Sequence, residues 1–404
     1  MRILVLGPSF PFPPAWGHAT RVYHLARQLA RRHEVMLLTY ATAADEQHVE
    51  QLRGELAVEV VPRTPLSRRV KRSRQLASLG SAVPYDTRAT HSAEMQAAIN
   101  RVCAAWEPDA IQLESTLMWA FDLPPRTRIV LDEHNVDYEI LLRMSETERS
   151  PVRRWFYRFE ERRVRSYEQR AWREAHACVL TSSRDEAVVR AHAPQTATAV
   201  VANGVDTDYF RPLRRELERR TLVFNGTLDY RPNVDAAVFL VEEILPRLRR
   251  SYPEARAIVV GKGPPDVLAR LQSAGAEVTG EVPDIRPFLA CAEVVAVPVR
   301  AGGGTRFKVV EGLSMARPVV STSIGCEGID VRHGEHLLVA DGAEAFAAGV
   351  TQLFEAPSFA ASLGRAGRGL VEREYSWDRG GDALAAVYEQ LRGAPDLALA
   401  AESA

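Results

Sequence analysis

The sequence predicts an α/β protein with two doubly wound domains. Short apolar runs alternate with longer amphipathic runs along most of the 404 residues, a rhythm typical of parallel sheets that are covered by helices on both faces. This alternation is interrupted at the turn-rich stretch 203–212 and the polar run Arg214–Arg220, and then resumes. We therefore expect an N-terminal Rossmann-like domain over residues 1–205 and a second one over residues 206–376.

The first domain is predicted to contain strands at short runs of mainly aliphatic residues. These runs are Ile3–Leu6, Val35–Thr39, Val58–Val61, Ile111–Leu113, Ile129–Leu131, Ala177–Thr181 and Thr198–Val201. Apolar residues recur at helical spacing in Thr20–Arg32, and Ala93–Ala105 also has a helical pattern. The long, charged stretch Val152–Ala175 is expected to be helical as well. Ser183 and Glu186 have the spacing of a capping box, so we expect a helix after the sixth strand.

The second domain shows the same alternation. Its predicted strands are Leu222–Asn225, Ala257–Val260, Val294–Val297 and Val319–Ser321, and its predicted helices are Val234–Arg250, Val267–Ala274, Phe307–Ala316 and Ala343–Phe354. A last helix, Trp377–Leu391, is expected to pack back on the first domain. Residues 392–404 are alanine-rich, and we expect them to form a disordered tail.

Composition and charge exclude several classes of protein. Lysine and arginine together number 51, and aspartate and glutamate number 52, a balance that argues against a general nucleic-acid binder. The four cysteines are far apart and match neither a zinc site nor a disulfide framework, which suits a reducing cytosol. The sequence contains no apolar run of 18 residues, so we expect a cytoplasmic protein without a membrane span.

Two stretches are strongly basic despite the balanced total. Arg63–Arg74 lies in a connection of the first domain, and Arg153–Arg173 interleaves arginines with aromatic residues. The first stretch could meet a lipid-diphosphate or another anionic acceptor. The second could form an amphipathic surface that contacts anionic lipid, which would place the protein peripherally at the inner face of the membrane. For the second stretch we favour a surface helix that packs its aromatic side chains inward and solvates its arginines.

The loop after the first strand is the first candidate site, because doubly wound sheets bind ligands at the carboxyl ends of their strands. It contains Trp16, Gly17 and His18 just before a predicted helix. The G-x-G-x-x-G pattern is absent, which argues against a dinucleotide oxidoreductase. A single glycine before a helix can still let a phosphate or a sugar approach the backbone, although an ordinary strand-to-helix turn explains the loop equally well.

The strand Ile129–Leu131 is followed by a second polar cluster. Asp132, His134 and Asn135 bring acidic, imidazole and amide groups to one strand end. A single histidine at a strand end more often has a structural role. The setting of His134, rather than its identity, makes it a candidate site residue.

The segment Ala301–Gly312 is the most informative. Three glycines follow a predicted strand and precede a predicted helix, so the backbone can approach a ligand closely. The free amides at the start of the helix, with Arg306 and Lys308, suit a diphosphate. Glu311 could accept hydrogen bonds from two ribose hydroxyls. The alternative is a flexible loop before a solvated helix.

Together, these motifs resemble those of the GT-B glycosyltransferases, and most closely those of family four of the retaining enzymes. The matching pieces are Leu131–Asp137, Asn203–Asp206 with Phe210, Phe224–Ala236, Val259–Gly261, Gly280–Asp284, Gly302–Glu311 and Pro318–Thr322. The resemblance covers roughly residues 1–390. It implies two facing Rossmann-like domains with a cleft between them, and retaining transfer of a hexosyl-type sugar in glycan, polysaccharide or glycoconjugate biosynthesis.

The resemblance also implies roles for individual residues. The catalytic set is His134, Arg306, Lys308 and Glu311. The donor-binding set is Gly17, Gly226, Arg231, Asn233, Val282, Gly302, Gly303, Gly304, Thr305 and Glu311. The acceptor-side set is Trp16, His18, Asp132 and Asn135. Glu311 would hold the ribose, Val282 would lie near the base, and His134 would lie beside the transferred sugar.

The implied donor is a UDP-, GDP- or dTDP-sugar, and the implied acceptor is a sugar, a lipid-linked glycan or a small molecule. Neither a metal nor a cofactor is implied, because cationic side chains and helix dipoles can stabilise a departing diphosphate. A non-catalytic partner that binds nucleotide-sugars, or a GT-B nucleotide-sugar epimerase, remains as an alternative.

The sequence departs from the family pattern at three positions. Gly303 stands where the first of two glutamates is common, Thr227 replaces an arginine, and Asn233 stands near a lysine position. We expect Arg306 and Lys308 to supply the missing positive charge.

Overall fold

Each half of the chain forms its own parallel sheet. The computed structural model describes residues 1–14, 16–64, 75, 78, 80–148, 150–302 and 306–393. The chain divides into two compact units, which we call unit 1 (Met1–Ala202 and the chain from Gly380 onward) and unit 2 (Asn203–Arg379). Each unit is a doubly wound α/β structure, so the predicted fold class is confirmed.

Unit 1 contains a sheet of seven parallel strands in the order β3-β2-β1-β4-β5-β6-β7. The strands are β1 (Arg2–Gly7), β2 (Glu34–Ala41), β3 (Ala57–Pro62), β4 (Ala110–Glu114), β5 (Arg128–Glu133), β6 (Ala177–Leu180) and β7 (Ala197–Val200). The helices are α1 (Gly17–Ala30), α2 (Glu46–Arg53), α3 (Tyr85–Thr90), α4 (Ala93–Trp106), α5 (Asp137–Thr147), α6 (Pro151–Glu174) and α7 (Ser183–His192), with a 3-10 helix at Thr116–Ala120.

Unit 2 contains a sheet of six parallel strands in the order β10-β9-β8-β11-β12-β13. The strands are β8 (Glu218–Asn225), β9 (Arg256–Val260), β10 (Glu277–Gly280), β11 (Ala292–Val297), β12 (Val319–Ser321) and β13 (Leu338–Val339). The helices are α8 (Arg231–Val238), which continues through a π-helical segment (Phe239–Ile244) into α9 (Leu245–Leu248), then α10 (Pro265–Ser273), α11 (Arg286–Cys291), α12 (Phe307–Ser314), α13 (Ala343–Glu355) and α14 (Pro357–Glu374).

The last helix, α15 (Trp377–Gly393), starts in unit 2 and continues into unit 1. Within unit 1, the fully buried Tyr388 donates a hydrogen bond to Gln112 Oε1 of β4 at 2.6 Å. The helix includes Arg392 and Gly393, the first two residues of the predicted tail, which corrects its start. The rest of that predicted tail, 394–404, lies outside the described residues. Among the described residues, no helix is both long enough and apolar enough to span a membrane.

The capping prediction for α7 is wrong by one residue. Ser182, not Ser183, is the N-cap, because its backbone is extended and its hydroxyl accepts a hydrogen bond from the Asp185 amide at 3.2 Å. A cap must have this non-helical backbone, whereas Ser183 already lies inside the helix. The helix itself occurs where it was expected.

The basic helix α6 divides into two parts. At its C-terminal end Tyr167 and Trp172 are buried, as the favoured interpretation required. At its N-terminal end Val152 and Trp155 are 76% and 58% exposed, and the Trp155 ring stacks on that of Phe159. The inward packing of the aromatic residues is therefore wrong for Trp155, whereas Phe156 and Tyr157 are half-buried. Most of the other basic stretch, residues 65–74, lies outside the described residues.

The order of strands places a candidate site at the carboxyl ends of the strands in each sheet. In unit 1 the strand order reverses between β1 and β4, and in unit 2 it reverses between β8 and β11. Helices leave to opposite faces at such a point, so a crevice opens at the carboxyl ends of the strands. Among the predicted polar residues, Asp132 lies in β5, the strand next to β4, and His134 directly follows it, whereas Lys308 and Glu311 lie in α12, the helix that follows β11.

Candidate functional site

In unit 2, Glu311 is held in place by the end of β8. It lies in the second turn of α12, half-buried, and its Oε2 accepts a hydrogen bond from Asn225 Nδ2 at 2.8 Å. Burial raises the pKa of this carboxyl, although the bond from Asn225 opposes the shift. The Asn225 amide thus fixes the orientation of the Glu311 carboxylate through one of its two oxygens.

Lys308 lies one turn earlier on the same helix and contacts Asn233. Its Nζ donates to Asn233 Oδ1 at 2.8 Å, and Asn233 Nδ2 donates to the Thr227 carbonyl at 2.9 Å. Burial and the nearby charge of Arg306 lower the pKa of Lys308 to about 8. Three positions that the sequence connected with phosphate binding, Thr227, Asn233 and Lys308, are therefore joined in one hydrogen-bonded chain.

Glycines allow the residues of this hydrogen-bonded series to pack tightly. A Cβ on Gly226 would lie 2.9 Å from Asn233 Nδ2, and a Cβ on Gly261 would lie 2.1 Å from the Gly226 carbonyl oxygen. Gly302 has a φ of +119°, and a Cβ there would lie 3.2 Å from Arg306 Nη2. The backbone is close to the polar side chains only because these residues lack side chains.

The other donor-binding candidates in unit 2 lie at helix starts or after a strand. Arg231 is the exposed first residue of α8, and Val282 is half-buried after β10. Arg306 is the half-buried N-cap residue of α12. The predicted diphosphate contacts Gly303, Gly304 and Thr305 lie outside the described residues.

In unit 1, Asp132 pairs with Arg21 in the interior. Arg21 Nε donates to both carboxylate oxygens at 3.0 and 3.1 Å, and Nη2 donates to Oδ1 at 2.7 Å. Arg21 Nη1 also donates to the Val201 carbonyl at 2.7 Å. Both side chains are 0% exposed. This corrects the placement of Asp132 among the acceptor contacts, since its carboxylate has no accessible surface and instead ties α1 to β5.

His134, which follows β5, has partners at both ring nitrogens. Its Nε2 lies 2.9 Å from Glu114 Oε2, and its Nδ1 lies 3.0 Å from His18 Nδ1. Burial lowers the pKa of His134 to about 4, so the ring is neutral at pH 7. Its backbone carbonyl accepts a long hydrogen bond of 3.5 Å from Thr181 Oγ1. Both ring nitrogens and the carbonyl of His134 therefore have partners within unit 1.

The remaining N-terminal candidates surround this histidine pair. His18 lies in the first turn of α1, half-buried, directly after the exposed Gly17. The Trp16 ring, 49% exposed, stacks on His18 with centroids 5.2 Å apart. Asn135 is half-buried in the turn after β5. The structure therefore brings Trp16, His18 and His134 together as neighbours.

Sequence reasoning missed Glu114 and Gln112 of β4. Both are buried, and Gln112 Nε2 donates to Glu114 Oε1 at 2.6 Å. Burial and the charge of Asp132 raise the pKa of Glu114 well above its usual range. The sequence contains a signal for this pair, because two polar residues that are two positions apart in an apolar strand point to the same face of the sheet.

Glu114, Asp132 and His134 also offer ligand atoms that all lie within 4.8 Å of one another. Such a group could in principle hold a cation. Here the Arg21 guanidinium already lies against Asp132 and supplies the positive charge. The cluster is therefore better described as a hydrogen-bonded network than as a metal centre.

Two Rossmann-like units, each with polar groups at the switch point of its sheet, are the architecture of the GT-B class of glycosyltransferase. The family model described as "Glycosyltransferase Family 4" matches residues 17–209, and the one described as "Glycosyl transferases group 1" matches residues 219–356. The chain belongs to the group 1 glycosyltransferases, which confirms the family predicted from the motifs.

Individual relatives are more distant. The D-inositol 3-phosphate glycosyltransferase of Mycolicibacterium paratuberculosis is 30% identical over 220 residues, which cover 49% of this chain and 48% of that protein. The chain spans about half the length, or less, of the curated relatives that it matches.

Solved structures show the same fold. Sucrose-phosphate synthase from Thermosynechococcus elongatus is similar with a TM-score of 0.74 at 16% identity, over 98% of this chain and 100% of that one. Anabaena HepE in complex with UDP-glucose is similar with a TM-score of 0.68 at 17% identity, over 96% and 100% of the two chains.

Proposed function

We propose that this glycosyltransferase moves a hexosyl-type sugar from a nucleotide-sugar to an acceptor, with retention of the anomeric configuration. Unit 2 binds the donor and unit 1 binds the acceptor. The observation that carries the proposal is the polar cluster at the switch point of unit 2. There Asn225 orients Glu311 and Asn233 orients Lys308, from the end of β8 and the start of α8.

The cluster has the chemistry of a nucleoside diphosphate site. The Glu311 carboxylate can accept hydrogen bonds from ribose hydroxyls. Lys308, Arg306 and the amides at the start of α12 can stabilise the charge that develops on the departing diphosphate. Bound diphosphate favours the charged form of Lys308, so its lowered pKa does not prevent this role. Val282 would lie near the base.

His134 supports the sugar from unit 1 in this proposal. Because both ring nitrogens have partners, its backbone carbonyl is the group that faces the oxocarbenium-like charge. Gly17 has no side chain and lets the donor phosphate approach α1. The acceptor hydroxyl attacks on the face from which the diphosphate leaves, which gives retention without an enzymic nucleophile.

A thermal-shift screen with UDP-, GDP- and dTDP-sugars tests donor binding, because a bound ligand stabilises the folded state by mass action. UDP-glucose is the first probe, since HepE has been solved with it. Glu311→Ala should weaken binding by about 10- to 100-fold, the effect of about 1.5–3 kcal/mol expected for a hydrogen bond to a charged group.

Glu344→Ala is the matched control, because the Glu344 carboxylate is 89% exposed on α13. Equal binding by Glu311→Ala and wild type would contradict the donor site. Donor binding with neither hydrolysis nor transfer, across a panel of sugar and lipid-linked acceptors, would favour a non-catalytic binding partner instead. The anomeric configuration of the product, read by NMR, decides retention.

We further propose a peripheral contact with anionic membrane at the start of α6. Val152 and Trp155 are exposed there beside Arg153 and Arg158, which combines apolar anchors with positive charge. Flotation with phosphatidylglycerol vesicles should recover the wild-type protein, and Trp155→Glu should reduce recovery several-fold. The control Trp106→Phe leaves this surface unchanged. Equal recovery of wild type and Trp155→Glu would remove the proposal.

A further inference from the structure

The buried polar groups of unit 1 form one continuous chain that ends at an unpaired nitrogen. Tyr388 Oη donates to Gln112, Gln112 donates to Glu114, and Glu114 contacts His134 Nε2. His134 Nδ1 then contacts His18 Nδ1 at 3.0 Å. His18 Nε2 is buried and has no hydrogen-bond partner among the residues that the structure describes. A chain of this kind can move a proton from one end to the other.

We propose that Glu114, His134 and His18 form a proton relay that takes the proton of the acceptor hydroxyl at His18 Nε2 and stores it on Glu114. The inference rests on the proposed function, since it assumes that the acceptor binds to unit 1. His18 is the catalytic residue of the relay, and Glu114 acts through His134 as a positioning residue.

The hydrogen bonds of this relay allow only two proton arrangements in which both imidazoles are neutral. With Glu114 ionised, His134 carries its proton on Nε2 and donates to Glu114, and His18 carries its proton on Nδ1 and donates to His134. His18 Nε2 is then a free base. With Glu114 protonated, each proton has moved along by one bond, and His18 Nε2 carries a hydrogen.

One proton transfer converts the first arrangement into the second. The acceptor O–H bond breaks and its proton joins His18 Nε2. The proton on His18 Nδ1 moves to His134 Nδ1, and the proton on His134 Nε2 moves to Glu114 Oε2. The acceptor oxygen bonds to the anomeric carbon while the bond from that carbon to the diphosphate oxygen breaks, and the diphosphate leaves with the electron pair. No imidazolium is formed.

Burial, with the neighbouring charges, favours storage of the proton on Glu114. Burial lowers the pKa of both histidines, and for His18 the neighbouring His134 lowers it further. Burial and Asp132 raise the pKa of Glu114, against smaller opposing effects of Gln112 and Arg21. Both shifts disfavour an imidazolium and favour a neutral carboxyl.

Within the part of the chain that the structure describes, the other charged groups that face the relay are already paired. Asp132 of β5 has its nearer carboxylate oxygen 3.9 Å from His134 Nε2, and Arg21 of α1 neutralises it. Tyr388 of α15 lies at the far end, where burial and the charge of Glu114 raise the pKa of its hydroxyl, so it stays a donor. The half-exposed Trp16 ring stacks on His18, and in the proposed relay the acceptor hydroxyl must displace this ring in order to reach His18 Nε2.

The variant Glu114→Gln holds His134 and His18 in the tautomers of the protonated relay. Tyr388 donates to Gln112 Oε1, so the Gln112 amide must donate toward position 114. In the Glu114→Gln protein the new side-chain oxygen accepts that bond, and the new NH2 group must face His134 Nε2. His134 then carries its proton on Nδ1 and His18 carries its own on Nε2, where it can no longer accept a proton.

The matched control is Glu133→Gln. Glu133 is also a buried glutamate at the end of a strand, and its pKa is also raised by burial. It accepts a hydrogen bond from Trp172 Nε1 at 2.7 Å and takes no part in the relay.

NMR of the full chain labelled with 15N-histidine reads the tautomers directly, without any ligand. Wild type should switch both His18 and His134 from one neutral tautomer to the other as the pH falls through the titration of Glu114. Glu114→Gln should show the low-pH tautomers at every pH, and Glu133→Gln should behave as wild type. Formation of a His18 imidazolium, or unchanged tautomers in Glu114→Gln, would overturn the relay.

Rates of sugar transfer give the second readout. The wild-type rate should rise with pH as Glu114 loses its proton, and Glu114→Gln should lose this rise and about 100-fold or more in kcat, the usual contribution of a general base. UDP binding should stay unchanged. If Glu114→Gln fails to fold by circular dichroism, His18→Gln serves instead, because glutamine cannot accept the proton.

The outcomes separate the two proposals. Transfer by Glu114→Gln and His18→Gln at wild-type rate and with wild-type pH dependence overturns the relay alone. Absence of transfer by wild type with every donor overturns the proposed function, and the catalytic role of the relay with it, whatever the tautomers show.

Discussion

Replacing Arg21 by leucine removes the cation on which the interior of unit 1 depends. The guanidinium donates three hydrogen bonds of 2.7–3.1 Å to Asp132 and one to the Val201 carbonyl, and both members of the pair are 0% exposed. Arg21→Leu leaves a buried carboxylate without its partner. The expected cost is about 3–5 kcal/mol, a large share of the about 5–15 kcal/mol that stabilises a typical domain.

Urea unfolding followed by tryptophan fluorescence measures this loss. Two units need not unfold together, so a probe that reports on unit 1 is required. Five of the six tryptophans belong to unit 1, including the buried Trp172. The control is Arg32→Leu, which removes the ion pair of Arg32 with Asp382, whose side chains are 50% and 51% exposed. Such a surface pair contributes about 0–1 kcal/mol.

Two further measurements test the cause of the loss. Arg21→Leu combined with Asp132→Leu should be less damaging than Arg21→Leu alone, because no unpaired charge stays buried. Lower pH should restore part of the stability of Arg21→Leu, because a bound proton removes the unpaired buried negative charge. The reasoning is refuted if Arg21→Leu costs no more than Arg32→Leu.

Two other predictions concern unit 2. Because the pKa of Lys308 is lowered to about 8, the affinity for UDP should fall as the pH rises from about 7 to about 9. In calorimetric titrations, Lys308→Met should bind UDP weakly and with little pH dependence. A wild-type affinity that does not change over this pH range would contradict the prediction. Gly261→Ala should lower the melting temperature far more than Gly334→Ala. Both glycines have a positive φ, but a Cβ at Gly261 would lie 2.1 Å from the Gly226 carbonyl oxygen, whereas a Cβ at Gly334 would meet no described atom within 4 Å. Equal losses would show that backbone strain alone matters.

Much of the fold could be predicted because a buried parallel strand has a strong local signal. Every strand that the sequence predicted is present, since most are runs of apolar residues covered on both faces. The two strands that were missed, Glu277–Gly280 and Leu338–Val339, lie at the outer edges of the unit 2 sheet and are short. Edge strands are covered less completely, so their sequences carry less of the apolar pattern.

The functional site could be predicted only as separate pieces. Strand ends and a glycine-rich loop marked His134, Lys308 and Glu311, because those signals are local. Their partners are not local. Glu311 depends on Asn225, which is 86 residues away, and His134 depends on His18, which is 116 residues away. Such pairings follow from the order of strands in the sheet, which no single stretch of sequence contains.

Asp132 and His134 show that the role of a side chain depends on its partners rather than on its residue type. In the sequence both are candidate site residues, since they lie within two residues of each other at the end of the same strand. The structure places Arg21 against Asp132, which closes that carboxylate to any ligand, and places Glu114 and His18 against the His134 ring. A charge that is fully paired inside the protein holds the site together, whereas a histidine between an acid and a second histidine can pass a proton. The chemistry of unit 1 therefore depends on where α1 sets Arg21 and His18, three residues apart on one face of a helix.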